Sequence, residues 1–256
     1  MSDETPRMAA KREDLMIAVT GASRGIGAAI ALELARRGFR VACLTRRGAG
    51  PETEISRDLA GRFVNHACDV NDEASVRTAL AAIGTAHGLH GLVNNAGIHL
   101  DAPSHEMDTA IYERVMQTNA TAVFTACREA YPYLIRAGGG TIVNIGSFFD
   151  KIGVKRNLAY CASKAAVGAM TRCLAVEWAS KGIRVLNVAP GYVVTDLNRE
   201  SLERGAVREY IEKRIPTRRP GTAEEIARLV AAIFSEDIAF LTGETIYIDG
   251  GQGIAH

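Results

Sequence analysis

The chain predicts a single α/β domain built on a doubly wound parallel sheet, and three observations carry that prediction. Short apolar runs of strand length alternate with segments of helical spacing from about residue 15 to the end. The first of these runs passes straight into a glycine-rich turn that opens a helix. No linker, repeat or low-complexity tract interrupts the alternation, so one domain accounts for everything after the N-terminal tail.

The elements follow in order. Residues 15–20, LMIAVT, form a continuous apolar run, as in a strand buried on both faces of a parallel sheet. In TGASRGIG, Gly21, Gly25 and Gly27 lead into AAIALELARRG, whose apolar spacing and terminal Gly38 describe a helix and its C-cap. Such a turn lets a phosphate approach the backbone, where helix N-terminal N–H groups and the dipole hold negative charge. The spacing is G-x-x-x-G-x-G, which meets the mechanics of a dinucleotide fingerprint without its usual letters. RVACLT (40–45) is a second strand, PETEISRDLAG (51–61) a short helix, and FVNHACDV (63–70) a third strand ending at Asp69. Helical spacing over 72–87 precedes a fourth strand, HGLVNNAG (90–97). A long helical segment over 107–137 contains Asn119 amid apolar residues, and TIVNIGS (141–147) is a fifth strand that delivers Ser147 at its C-terminal end. A helix over 157–180, a strand at 183–191, a polar irregular stretch over 193–220, a helix at 222–235 and a strand at 244–251 complete the chain.

Composition narrows the function. Of 256 residues 47% are hydrophobic and 23% charged, and the formal net charge is +1, so no global field favours nucleic acid or an anionic membrane. Cys43, Cys68, Cys127, Cys161 and Cys173 are odd in number and widely spaced, which reads as reduced core thiols and neither a disulfide framework nor a zinc site. No run nears the roughly 18 apolar residues of a spanning helix, and the N-terminus MSDETPRMAAKRED lacks an apolar h-region. The expected compartment is the cytoplasm, with residues 1–14 a disordered tail and 15–256 the folded domain.

Two constellations carry chemistry. At the end of the second strand a dinucleotide-binding fold places an acid for a ribose 2′-hydroxyl or a base for a 2′-phosphate. Thr45, Arg46 and Arg47 stand there, and with Arg24 in the glycine turn they give guanidiniums suited to one phosphate. NADP is therefore favoured, with NAD the alternative. The second constellation is Ser147, Tyr160 and Lys164. On a helix Tyr160 and Lys164 lie one turn apart, about 5–6 Å between Cβ atoms. Tyrosine titrates near 10 and needs a neighbouring cation to act as acid or base at neutral pH, so the pair reads as an acid/base device in which Lys164 lowers the Tyr160 pKa.

Taken together, TGASRGIG, NNAG, Asn119, Ser147, YCASK and PG, in that order and spacing, resemble the short-chain dehydrogenase/reductase family over nearly the whole chain. The resemblance implies a single Rossmann-type domain with a seven-stranded parallel sheet flanked by helices and a nicotinamide cofactor across the strand C-termini. It implies that Tyr160 exchanges the proton with the carbonyl or hydroxyl, that Ser147 orients the same oxygen, and that Lys164 also holds the nicotinamide ribose. Asn119 would hold a water leading from Lys164 toward solvent. Gly21, Ser23, Arg24, Gly25, Ile26 and Gly27 would line the phosphates and adenosine side, Asp69 and Val70 the adenine, and Asn95, Ala96 and Gly97 the nearby ribose. Pro190, Gly191, Val193 and Thr195 would set the nicotinamide face. No metal is required, since charge developing on the oxygen is met by Ser147 and Tyr160. A homotetramer is implied.

The layout is most similar to 3-oxoacyl-[acyl-carrier-protein] reductases and related ketone reductases, with a small molecule or acyl thioester as substrate. A sugar, polyol or cyclic-alcohol dehydrogenase is the alternative of the same class, and a cofactor-binding scaffold without turnover the alternative of another. Phe148, Phe149 and Asp150 after the serine read as the substrate pocket, two rings for a flat or apolar group and a carboxylate that disfavours an anion. Arg136, Lys155, Arg156 and Lys181 offer basic patches for an acidic carrier protein. Residues 196–219 read as a mobile lid. His99 and His105 are expected to be plain loop residues.

Overall fold

The computed structural model describes residues 12–195, 205–236 and 238–255. Five apolar runs become parallel strands because they are buried on both faces and only a crossover helix can join them. In order these are β1 (Met16–Thr20), β2 (Arg40–Thr45), β4 (Gly91–Asn94), β5 (Gly140–Ile145) and β6 (Ile183–Pro190), with edge strand β3 (Phe63–Ala67) between β2 and β4 in sequence. A two-residue parallel pair, β7 (Val193–Val194) with β8 (Gly221–Thr222), precedes the last strand, β9 (Thr245–Ile248). The seven long strands form one parallel sheet in the order β3-β2-β1-β4-β5-β6-β9. The seven-stranded, doubly wound expectation is borne out.

Helices cover both faces. On one face α1 (Gly25–Arg36) packs beside α8 (Ala223–Ser235) over a core that includes Ile17, Val19, Ile30, Leu34 and Val230. On the other, α3 (Glu73–Ala86), α5 (Ala122–Arg136) and α6 (Leu158–Trp178) close over Leu80, Leu92, Leu134, Ile142 and Val167. The four-residue α2 (Arg57–Ala60) replaces the longer helix expected over 51–61, and Leu59 is the side chain by which it packs against the core. The segment over 107–137 is α4 (Thr109–Met116) joined to α5 by a π turn, Gln117–Thr121, that carries Asn119. One helix was missed, α7 (Gly205–Arg214) inside the stretch read as irregular, held by Ile211 and Ile215 against Tyr192 and Val194. The expected lid at 196–219 thus has a helix in its second half, and residues 196–204 lie outside the described residues. The tail ends earlier than expected: Arg12–Asp14 form a short 3₁₀ turn whose Arg12 guanidinium donates to the Ser235 carbonyl, 2.8 Å. The expectation for residues 1–11 lies outside the described residues.

Two features position the site. Strand order reverses between β1 and β4, which opens a crevice at their C-terminal ends. Beneath it Asn94, Asn144 and Asn187 sit in register across β4, β5 and β6, each at most 3% exposed. Asn94 donates to the Asn144 Oδ1 at 2.9 Å, Asn144 donates to Thr171 Oγ1 on α6 at 2.9 Å, and Asn187 donates to Thr245 Oγ1 at 3.1 Å. Buried amides without partners are costly, so the bonds from Asn94 through Asn144 to Thr171 tie α6, the helix of Tyr160 and Lys164, to the sheet, while Asn187 keeps its Oδ1 without a partner.

Candidate active site

The crevice is a cleft of about 500 Å³. Its floor is the glycine turn, where Gly21 and Gly25 take positive φ, 66° and 57°, that disfavours other residues. A Cβ at Gly27 would run into the Gly21 carbonyl and the Asn95 amide, so this backbone approaches closer than any side chain permits. At the N-terminus of α1, Arg24 makes no side-chain cap bond, which leaves the first N–H groups of the helix directed at the cleft. These are the demands of a dinucleotide diphosphate, and the residues fit one.

Thirteen of the expected cofactor positions line this cleft: Gly21, Ser23, Arg24, Gly25, Ile26, Gly27, Arg46, Asp69, Val70, Asn95, Ala96, Gly97 and Thr195. Pro190, Gly191 and Val193 do not line it, and neither do Tyr160 and Lys164, also expected at the cofactor; Pro190 ends β6 and Val193 is 7% exposed in the core. Asn95 is chiefly a tie, its amide donating to the Thr20 and Gly21 carbonyls at 3.0 and 3.3 Å. Asp69 accepts from Asn71 N–H at 3.0 Å, while the N-cap of α3 is Asp72. Asn71, Arg114 and Thr118 also line the cleft and went unread in the sequence, where nothing marks them apart from Thr118 preceding Asn119.

The three arginines border one recess. A side recess of about 90 Å³ is lined by Arg24, Arg46 and Arg47, together with Ser23, Thr45, Ala49 and Glu52, and shares Arg24 and Arg46 with the main cleft. Thr45 shapes it by exchanging both hydrogen bonds with the main chain of Ala49, at 2.8 and 3.0 Å.

Ser147 stands just past β5, 7% exposed, and Gly146 before it is required because a Cβ would strike the Asn187 amide. Lys164 is 6% exposed, and its Nζ donates to the Ile145 carbonyl at 2.8 Å while lying 5.6 Å from the Tyr160 ring centroid. Burial lowers the Lys164 pKa to about 8, so the ammonium persists at pH 7. The expected depression of Tyr160 is not found. Burial pushes its hydroxyl up to about 12, opposed by a hydrogen bond with Ser147, because the Lys164 charge is turned toward Ile145 and does not offset the lost hydration.

Asn119 ties the loop after β4 to α6. Its Oδ1 accepts from Ile98 N–H at 2.8 Å, and its Nδ2 donates to the Ile98 carbonyl at 2.8 Å and to Ser163 Oγ at 3.1 Å. Both N–H groups are used, and the side chain fixes the loop after β4 against α6.

The substrate side departs furthest from expectation. Phe148 is 2% exposed and belongs to the core, packed on Phe149 and Tyr192. Asp150 turns away: it accepts from the Tyr247 hydroxyl at 3.0 Å, beside Lys151 and Arg172, so its charge does not guard the pocket mouth. Of the three, Phe149 alone meets the Tyr160 ring, edge-on at 5.9 Å between centroids and 87°. Tyr192 and Tyr210 extend this ring wall to α7, at 6.3 Å from Phe149 to Tyr192 and 6.1 Å from Tyr192 to Tyr210. His99, expected to be idle, meets Tyr160 edge-on at 4.9 Å and 75°. Of the four surface cations, Arg156 pairs with Asp101 at 2.8 Å and Arg136 lies over the Tyr133 ring at 4.5 Å, so neither is an idle docking charge.

A family model described as enoyl-(acyl carrier protein) reductase matches residues 21–252. The glucose 1-dehydrogenase of Gluconobacter oxydans is 37% identical over 240 residues, 92% of this chain and 90% of that protein. The 3-oxoacyl-[acyl-carrier-protein] reductase MabA of Mycobacterium tuberculosis is 36% identical over 244 residues, 94% of this chain and 93% of that protein. Among solved structures, a gluconate 5-dehydrogenase from Burkholderia cenocepacia in complex with NADP and tartrate superposes with a TM-score of 0.84 at 28% identity, covering 93% of this chain and 94% of the other. Together with the cleft and the Ser147, Tyr160 and Lys164 constellation beside it, these likenesses establish that the chain belongs to the short-chain dehydrogenase/reductase family of oxidoreductases.

Proposed function

We propose that this oxidoreductase catalyses NADP(H)-dependent reduction of a ketone carbonyl, of a 3-oxoacyl thioester or related ketone, and the reverse oxidation of the secondary alcohol. The observation that carries the reading is Tyr160 held with Ser147 and Lys164 at the strand C-termini, next to a cleft shaped for a dinucleotide. The nicotinamide dinucleotide, when bound, supplies or accepts the hydride. Tyr160 gives its hydroxyl proton to the carbonyl oxygen in reduction, and Ser147 donates a hydrogen bond to the same oxygen. A phenol held near 12 is fully protonated at neutral pH, so the proton is present to give, and its transfer relies on the hydrogen bond with Ser147 and the nearby Lys164 ammonium. The buried Lys164 ammonium takes the nicotinamide ribose hydroxyls and so ties cofactor position to the proton donor. Arg24, Arg46 and Arg47 around the side recess support a 2′-phosphate and thus NADP; the gluconate 5-dehydrogenase relative binds NADP.

The second reading, oxidation of a sugar or polyol, is favoured by the likeness to glucose 1-dehydrogenase. The ring wall of Phe149, Tyr192 and Tyr210 supports the first, since it offers apolar faces where a polyol needs hydrogen-bond partners. A panel of ketones, 3-oxoacyl thioesters, sugars and polyols, each assayed with NADP(H) and NAD(H), separates them. Turnover confined to sugars or polyols, or a preference for NAD, would overturn the proposal.

We further place the working enzyme in the cytoplasm as a homotetramer. Its free cysteines, three of them buried, suit a reducing compartment. Phe124 and Val176 are exposed on α5 and α6, and Phe240 and Ile254 flank edge strand β9, apolar surface of the kind that subunits cover. Sedimentation should give a tetramer at micromolar concentration; a concentration-independent monomer would contradict this.

A further inference from the structure

The segment that leaves the cleft after β4 is fastened to the segment that enters α6. Ala102 N–H donates to the Arg156 carbonyl at 3.0 Å, the Arg156 guanidinium donates to Asp101 at 2.8 Å, and His99 Nε2–H donates to Asn157 Oδ1. Two features mark this as a built contact. Arg156 takes a left-handed φ of 69°, unusual for a residue with a Cβ, and that turn presents both its carbonyl and its guanidinium to the facing loop. Asn157 occupies the N-cap position of α6, where asparagine ordinarily bonds the helix N–H groups, yet its side chain makes no cap bond. Its amide N–H₂ donates instead to the Lys155 carbonyl at 2.9 Å, which orients Oδ1 toward His99.

We propose that His99 is a positioning residue for the Tyr160 phenol, and that this loop-to-loop zipper couples the cofactor seat to the proton donor. The imidazole is fixed at one end by Asn157 and meets the Tyr160 ring edge-on at 4.9 Å and 75°. A tyrosine ring is free to turn about two torsions, and an edge-to-face partner removes that freedom on the face it covers. The same loop reaches Tyr160 by a second route. Ile98, which lines the cleft, is bonded in both directions by Asn119; Asn119 donates to Ser163; and Ser163 Oγ donates to the Tyr160 carbonyl at 2.8 Å. One route holds the main chain of Tyr160 and the other holds its ring. Proton transfer needs a donor within hydrogen-bond reach of the substrate oxygen, and a displacement of about 1 Å can cost about 100-fold in rate.

The inference rests on Tyr160 being the proton donor, and its test keeps the two claims apart. His99 is itself exposed, so its replacement leaves the core intact and lost turnover is not lost folding. His99→Ala should lower kcat at least about tenfold, with the Kd for NADPH, from cofactor fluorescence, within about threefold of wild type. His99→Gln, which keeps an N–H donor at about the reach of Nε2, should recover part of that loss. His99→Ala and Asn157→Ala combined should be no slower than the slower of the two singles, because both break one contact. A readout independent of substrate is the ¹³Cζ resonance of Tyr160 in tyrosine-labelled protein, assigned by its disappearance in Tyr160→Phe; it should shift or broaden in His99→Ala. Should no carbonyl or alcohol be turned over, the proposed function fails while this resonance still decides the positioning role. An unmoved resonance with kcat within twofold of wild type, a Gln variant as slow as Ala, or additive losses in the double variant would overturn the inference.

Discussion

Replacing Lys164 with methionine removes the one buried cation of the proton-transfer group, and the consequence for stability has a definite sign. Burial brings the Lys164 pKa from 10.5 to about 8. Between those values the unfolded chain keeps a proton that the folded chain has released, so folding stability rises with pH across the window, and the full cost of burying the charge is present below pH 8. From pH 7 to 9.5 this linkage amounts to about 2 kcal/mol. Methionine has a similar length and no titration, so the stability difference between wild type and Lys164→Met should move by about 2 kcal/mol in favour of wild type over that range. Buried thiols at Cys43 and Cys127, also shifted upward, are common to both proteins and cancel in the difference. Urea unfolding followed by the fluorescence of Trp178, the single tryptophan, at the end of α6 and packed on Tyr131, reads this at one protein concentration. A difference that stays flat from pH 7 to 9.5 would refute the depressed pKa and the buried-ammonium account built on it.

Two further outcomes follow from the cofactor cleft. Gly27→Ala should gain up to about 1 kcal/mol in helix propensity and lose more, about 1–3 kcal/mol, because the added methyl meets the Gly21 carbonyl and the Asn95 amide; a lower melting temperature and a tenfold or greater rise in the NADPH Kd are expected, and a stabilised variant with unchanged binding would contradict the close approach. Arg46→Ala should raise the KM for NADPH about 10- to 100-fold, the loss of one charge-assisted hydrogen bond, with the KM for NADH nearly unmoved. Equal effects on both cofactors would remove the 2′-phosphate contact.

The sequence made the sheet legible because a strand buried on both faces leaves no room for polar residues, and LMIAVT, RVACLT and TIVNI spell that out. The glycine turn was legible for a related reason: glycine is favoured at the positive φ of positions 21 and 25, and a Cβ at Gly27 would strike the Gly21 carbonyl. Helix α7 was not, since its surroundings bury only Ile211 and Ile215 and leave no stripe to read. Local spacing placed Tyr160 and Lys164 on one helix face but could not say where the ammonium points, which is fixed by the Ile145 carbonyl at the end of a different element. Asp150 failed in the same way: its partner, Tyr247, is 97 residues distant. His99 looked idle because the proposed reaction needs no imidazole, whereas the structure sets its ring against Tyr160, the proposed proton donor.

Everything in the proposed chemistry passes through one hydroxyl. Steady-state turnover and NADPH fluorescence titration of Tyr160→Phe, on whichever substrate the panel selects, test it most directly. The phenylalanine ring keeps the edge contacts with His99 and Phe149 and removes the hydroxyl, with its proton and its hydrogen bond to Ser147. The account predicts turnover lowered by a factor of about 100 or more with NADPH bound nearly as tightly as before. Turnover close to wild type would contradict it.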